Sequence, residues 1–165
     1  MHRLRMLLAG VLIAVVSACS TAPPAPVAAD SQTTSAIKSR LTAAQATDVT
    51  IYAMSLVGTP YRYGGNTPDA GFDCSGLIGH VYKAQSGVAT PRTVNAMGDW
   101  GQPVPVEAVR TGDLAIFIQN GVASHAGIYV GNGRFVHAPS AGGVVRLDML
   151  NAGYWSRQLV AYRRP

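Results

Sequence analysis

The chain has 165 residues, 48% of them hydrophobic and 13% charged. That suits one domain with a real core and excludes disorder over most of the length. The formal charge of +5 suggests a nucleic-acid partner, but residues 1–18 hold two arginines and no acid, leaving 11 basic against 8 acidic side chains. Such a balance makes no case for nucleic acid.

The opening stretch, "MHRLRMLLAGVLIAVVSACS", has the layout of a secretory signal: Arg3 and Arg5, an apolar run from Met6 to Val16, then small residues. The run is about half the roughly 20 residues that cross a bilayer as a helix. "VSAC" resembles the lipobox of bacterial lipoproteins, in which the cysteine is acylated and becomes the first mature residue, here Cys19. The plain alternative is a secretory signal with a chance cysteine at the cleavage point. Residues 1–18 are therefore expected as a lipoprotein signal peptide, with the acyl chains on Cys19 as a membrane anchor. Ser20 follows instead of aspartate, which by the same resemblance implies sorting to the outer membrane, facing the periplasm. Residues 19–46, rich in Ala, Pro, Ser and Thr, read as a flexible tether.

The globular domain is expected over 47–165. Val49, Ile51, Tyr52, Met54 and Leu56 suit a first helix, stopped by Gly58 and Pro60. A glycine- and proline-rich loop, "YRYGGNTPDAG", delivers the chain to "GFDCSGLIGHVYKAQSG". There Asp73 is a favoured N-cap, Leu77, Ile78, Val81 and Tyr82 share one stripe, and Gly87 is a fitting C-cap, so the pattern predicts a helix over Cys74–Gln85. Strands are expected at Leu114–Ile118, Ala126–Val130, Arg134–Ala138 and Gln158–Arg163. Helices followed by antiparallel strands make an α+β fold.

Cys74 would sit at the first helical position, where the helix dipole favours thiolate. Gly76 would clear space for a substrate backbone. Four roles are open to such a cysteine: buried hydrophobe, disulfide partner, metal ligand or nucleophile. If Cys19 carries lipid, Cys74 has no partner for a disulfide or a multi-cysteine zinc site within the chain, which leaves a structural cysteine or a nucleophile. A nucleophile needs a base and an orienting group. His80 lies roughly 240° around the same helix from Cys74 and faces elsewhere, as a surface or core-edge residue. His125 and His137 flank "AGIYVGNGRFV", a hairpin. A three-residue loop, Gly131-Asn132-Gly133, pairs Val130 with Arg134, sets His137 opposite Gly127 and puts both histidines on one face. A two-residue turn would shift the register by one and separate them. The proposed division is Cys74 as nucleophile, His125 as base and His137 as orienting group. A structural cluster or a two-histidine metal site stays open on spacing alone.

At these residues the sequence resembles the NlpC-type family of papain-like cysteine peptidases that cut bacterial cell-wall peptides. The resemblance rests on "GTPYRYGG", "GFDCSGLI", "PRT", "GDLAIF" and "SHAGIYVGNGRFVHA", in family order. It implies a papain-like fold with N-terminal helices packed on a small antiparallel sheet and the nucleophile at a helix N-terminus. It implies Cys74, His125 and His137 as catalytic, and Tyr61 with its hydroxyl beside the nucleophile. Ser75 would support the site, and Asp73, Arg92 and Ser124 are substrate-contact candidates. Tyr63 is expected to pack. The implied activity is hydrolysis of an amide bond in peptidoglycan stem peptides or cross-links, without cofactor or metal, by a monomer. The lipobox and tether agree with the family's lipid-anchored murein endopeptidases. Thioester-based acyl transfer and non-catalytic wall binding are the alternatives.

Overall fold

The computed structural model describes residues 37–140 and 143–165. The expected signal peptide, Cys19 and most of the tether lie outside them. Three helices, α1 (Ala43–Ser55), α2 (Cys74–Ser86) and α3 (Val94–Gly98), precede most of the strands. β1 (Asn66–Thr67) and β2 (Gly71–Phe72) form a small hairpin ahead of α2. The main sheet holds β3 (Gln102–Val104), β4 (Leu114–Gln119), β5 (Val122–Gly131), β6 (Arg134–His137), β7 (Arg146–Met149) and β8 (Leu159–Arg164). Its order is β3-β8-β4-β5-β6-β7, antiparallel throughout. This is the α+β architecture expected.

α1 starts four residues before Thr47. A capping box sets the start: the Thr42 hydroxyl accepts from the Gln45 amide, and the Gln45 side chain accepts from the Thr42 amide. Leu41 is buried in the core, and Ser39 and Arg40 both donate to the Pro165 carbonyl. Part of the stretch expected as tether thus belongs to the packed body. α1 buries Ala46, Val49, Thr50 and Ala53, whereas Ile51 and Met54 are exposed.

α2 follows its sequence pattern. The Asp73 carboxylate accepts from the Gly76 amide at 2.6 Å, and Gly87 closes the helix in the left-handed conformation. Leu77, Ile78, Val81 and Tyr82 are fully buried with Phe72 against Ile116, Ala126, Ile128 and Val136 of the sheet. Each such side chain contributes about 1.5–3 kcal/mol on leaving water. The strip that carries Cys74 is therefore fixed by the core itself.

Gly76 answers to packing and not, as expected, to a substrate backbone. A Cβ there would run into the Gly65 carbonyl oxygen, which already accepts from the Asp73 amide. Backbone cannot rotate aside, so Gly76→Ala is expected to cost about 1–3 kcal/mol. A denaturant midpoint equal to wild type would contradict this contact.

The hairpin reaches the expected register by an unexpected route. Gly131, not Val130, pairs with Arg134, and Asn132 (φ 53°) and Gly133 (φ 68°) form a two-residue turn in the left-handed region. Taken alone, that turn would split the histidines between faces. The register then shifts between Tyr129 and Gly131, and the bulge restores the Ile128–Val136 pairing. By extension along the two strands, His137 falls opposite Gly127. A Cβ on Gly127 would meet the Phe135 ring at 2.7 Å and the His137 Cβ at 3.1 Å, so the space between the strands admits only glycine.

Candidate active site

Cys74 and His125 line one cleft of about 560 Å³, with Tyr61, Tyr63, Arg92 and Ser124 around them. Cys74 comes from the first turn of α2 and His125 from β5. A second register shift brings His125 into place: Phe117 pairs with His125 but Ile118 with Ala123, which leaves Ser124 as the extra residue of a bulge. Ser124 is exposed, and its hydroxyl donates to the Phe117 carbonyl at 3.3 Å.

Behind His125 runs a line of polar contacts. His125 Nε2 lies 2.9 Å from His137 Nδ1, and His137 Nε2 lies 3.0 Å from Asp148 Oδ2. His137 is fully buried. Asp148 also accepts from Arg146 Nε at 2.9 Å and from Trp155 Nε1 at 2.8 Å. These donors hold its carboxyl below the ordinary range, against the upward push of burial. A carboxylate only accepts, so His137 carries its proton on Nε2 and offers the Nδ1 lone pair. His125 must then donate through Nε2, which leaves Nδ1 as its free, basic nitrogen. Trp155 covers the pair, stacked on the His125 ring at 5.2 Å and edge-on to His137 at 4.9 Å.

Neither Asp148 nor Trp155 was anticipated from the sequence. The available signal was the alternation in "RLDM", which puts Arg146 and Asp148 on one side of a strand. His80 sits at the core edge as expected, within 2.9 Å of the Tyr52 hydroxyl.

The other expected residues divide. The Asp73 carboxylate accepts from the amides of Gly64 and Gly76, the Ser75 hydroxyl and both terminal nitrogens of Arg92. Burial would raise its pKa, but these partners, Arg92 foremost, hold it below the ordinary value. With these donors on it, Asp73 braces the loop and the helix start while also lining the cleft. Buried Ser75 joins the same brace, accepting from Arg92 at 2.6 Å. Arg92 faces the cleft with its side chain 49% exposed, but its charge is met by Asp73. Tyr61 is half-buried in the wall, its phenol pushed up by burial and then by Cys74 and Asp73. Tyr63, expected to pack, is 89% exposed at the rim.

The charge state of the pair also departs from expectation. Burial pushes the Cys74 thiol up and Asp73 adds to the push, while the amides of Ser75, Cys74 and Ala126 oppose it. Burial is the largest influence on His125 too, pushing it down to about 3 with help from His137 and Arg146. His137 falls to about 4, burial outweighing Asp148. Burial thus favours the neutral thiol and the neutral imidazole, against the helix-tip amides that favour thiolate.

A histidine whose folded pKa lies below its unfolded value of 6.5 stabilises the fold fully above pH 6.5. That contribution is lost as pH falls through about 4 for His137 and about 3 for His125, because the unfolded chain binds protons the folded chain refuses. The denaturant midpoint is expected to drop between pH 7 and pH 5, with flat imidazole NMR shifts for His125 and His137 over that range. A titration midpoint near 6.5 in either ring would contradict the buried, neutral pair.

The "NlpC/P60 family" model matches residues 58–164. Murein DD-endopeptidase MepH of Escherichia coli K12 is 41% identical over 115 residues, covering 67% of this chain and 42% of that protein. Murein DD-endopeptidase MepS/Murein LD-carboxypeptidase of the same strain is 37% identical over 107 residues, covering 65% of this chain and 56% of that protein. The chain thus spans less than two thirds of the length of these curated relatives. Among solved structures, an NlpC/P60 family protein from Bacillus cereus superposes with a TM-score of 0.66 at 31% identity, covering 78% of this chain and 41% of the other. The matched span holds the cleft, both histidines and the Asp148 end of the polar line, and the chain belongs to the NlpC/P60 family.

Proposed function

We propose that this protein is a cysteine peptidase of the cell wall, hydrolysing an amide bond in peptidoglycan stem peptides or their cross-links. The observation that carries the reading is the fixed tautomer of His125, whose only basic nitrogen is left for the cleft that Cys74 lines. The relatives' names, murein DD-endopeptidases, supply the substrate class.

Because burial favours the neutral thiol and imidazole, His125 Nδ1 takes the Cys74 proton as the sulfur attacks the amide carbonyl. Amides of Cys74 and Ser75 at the helix tip stand beside the sulfur and are the donors for the developing oxyanion in this reading. The imidazolium returns the proton to the leaving amine, and Asp148, two hydrogen bonds away, offsets its charge. The amine departs, leaving a thioester on Cys74. Water, deprotonated by His125, then cleaves the thioester to free acid and thiol. Every group needed is a side chain or amide of this chain.

The reading extends to the cell envelope: residues 1–18 as signal peptide, Cys19 as the lipidated residue, and a monomer tethered to the periplasmic face of the outer membrane. Lipid at Cys19 is checked by mass spectrometry of the N-terminal peptide, with Cys19→Ala expected to release the protein from membranes.

The activity is tested by digesting purified cross-linked muropeptides with the detergent-solubilised full chain, beside an aliquot alkylated at Cys74, and weighing the products. Loss of dimers, or truncation of stems, in the untreated sample alone supports the reading. Identical, intact fragments in both overturn it.

A further inference from the structure

A second cavity, of about 420 Å³, adjoins the cleft and shares Ser124, His125 and Ser140 with it. Its remaining wall includes Gln119, Arg146, Tyr154, Trp155 and Gln158. Arg146 is the single charged side chain among the described residues that line it, since His125 is neutral. Arg146 directs Nε and Nη2 to one oxygen, Asp148 Oδ2, at 2.9 and 2.7 Å. A guanidinium has five N–H donors in a planar fork. Nη1 has no bonded acceptor among the described residues, and the side chain is 50% exposed. Asp148 does not line this cavity and takes the Nε and Nη2 edge of Arg146, so what Arg146 adds to the cavity lining is donor capacity at Nη1 and not a net charge.

Mechanism fixes which part of a substrate lies there. His125 protonates the leaving nitrogen, so that nitrogen lies between Cys74 and His125, and its substituents continue on the His125 side. The acyl portion stays with Cys74. A cavity that begins at His125 is therefore a leaving-group subsite.

We propose that this cavity receives the leaving amino acid through a free carboxylate, paired by Arg146, with the aliphatic chain of the residue lying along Tyr154 and Trp155. The assignment rests on the hydrolase reading above. A guanidinium beside the leaving nitrogen fits best a carboxylate on the carbon that bears that nitrogen. A D-alanyl–diaminopimelate cross-link has that arrangement, because the acceptor amine and a free carboxylate share one carbon. In an intact stem, the carboxyl next to the D-glutamyl–diaminopimelate nitrogen is tied up in the following amide. Arg146 thereby selects cross-links over stems.

The test uses two synthetic cross-linked peptides that differ only in a carboxylate or a carboxamide at the acceptor residue, with wild type, Arg146→Gln and Arg146→Lys of the full chain. The wild-type ratio of kcat/KM, carboxylate over carboxamide, is expected at roughly 10- to 100-fold. It should fall to near one in Arg146→Gln and recover in part in Arg146→Lys. Any weakening of Asp148 support lowers both rates together and leaves the ratio unmoved. Wild-type cleavage without a carboxylate preference, or a preference unchanged in Arg146→Gln, overturns the subsite while the hydrolase stands. Failure of wild type to cleave either peptide overturns the hydrolase reading, and the subsite with it.

Discussion

Asp148→Asn is expected to lower kcat about a thousandfold, second only to the total loss expected of Cys74→Ala. The substitution keeps the shape and leaves an oxygen that can still accept from His137, so the protein should fold. What disappears is the negative charge. In the wild type, Asp148 accepts from His137, Arg146 and Trp155 on one oxygen. With asparagine there, Arg146 stands uncompensated beside His137, and its field opposes the imidazolium that must form on His125. Burial already disfavours that imidazolium, holding His125 down to about 3. Removing the one nearby anion on that side makes proton uptake harder still. Asp148 does not line the cleft but holds Arg146, so kcat at saturating substrate, and not KM, is the readout. A kcat within threefold of wild type, measured on folded protein with cross-linked muropeptides, would mean that the polar line ends functionally at His137.

How much of this site was legible in the sequence depends on how local each determinant is. The Asp73 cap, Cys74 at the helix start and the buried stripe of α2 follow from adjacent residues, so the helix is readable. The histidine pair was reached by counting along one hairpin, and the count held only because a bulge at Val130 offsets the two-residue turn. Asp148 arrives on β7, an edge strand of mostly exposed residues, whose existence depends on pairing with β6 and not on its own pattern. Trp155 arrives on a single 3-10 turn, Trp155–Arg157, that no periodicity announces. Tyr63 was expected to pack as aromatics do, but the turn closed by the Gly65 amide on the Arg62 carbonyl leaves it at the loop tip. The thiol's charge state failed for a related reason: dipole and cap are local, whereas burial and the Asp73 charge depend on the finished fold.

Asp113→Ala carries the largest expected effect on stability, about 3–5 kcal/mol. Asp113 and Arg164 are both buried, and their ion pair is forked: Arg164 Nε meets Oδ1 at 2.9 Å and Nη2 meets Oδ2 at 2.8 Å. Arg164 also donates to the Ala108 carbonyl. Removing the carboxylate leaves a buried guanidinium with one carbonyl for company, and Tm should fall by roughly 10–20 °C. Replacing the pair together, Asp113→Ala with Arg164→Met, should recover much of the loss, because no charge is then stranded. If the double variant is no more stable than Asp113→Ala, the cost lies in the turn and not in the charge. The same turn explains why activity should fall below what the folded fraction predicts. The Tyr82 hydroxyl of α2 donates to the Gly112 carbonyl at 2.6 Å, and the Tyr129 amide of β5 donates to the Asp113 carbonyl at 2.8 Å. The helix that bears Cys74 and the strand that bears His125 are thus tied to one short segment, Gly112-Asp113. That segment is held in turn by Arg164 of β8. Loosening it lets thiol and imidazole drift relative to each other while the fold persists, and misplacement of about an ångström costs on the order of 100-fold in rate. Activity per folded molecule, measured well below the variant's Tm, separates this loss of alignment from loss of fold.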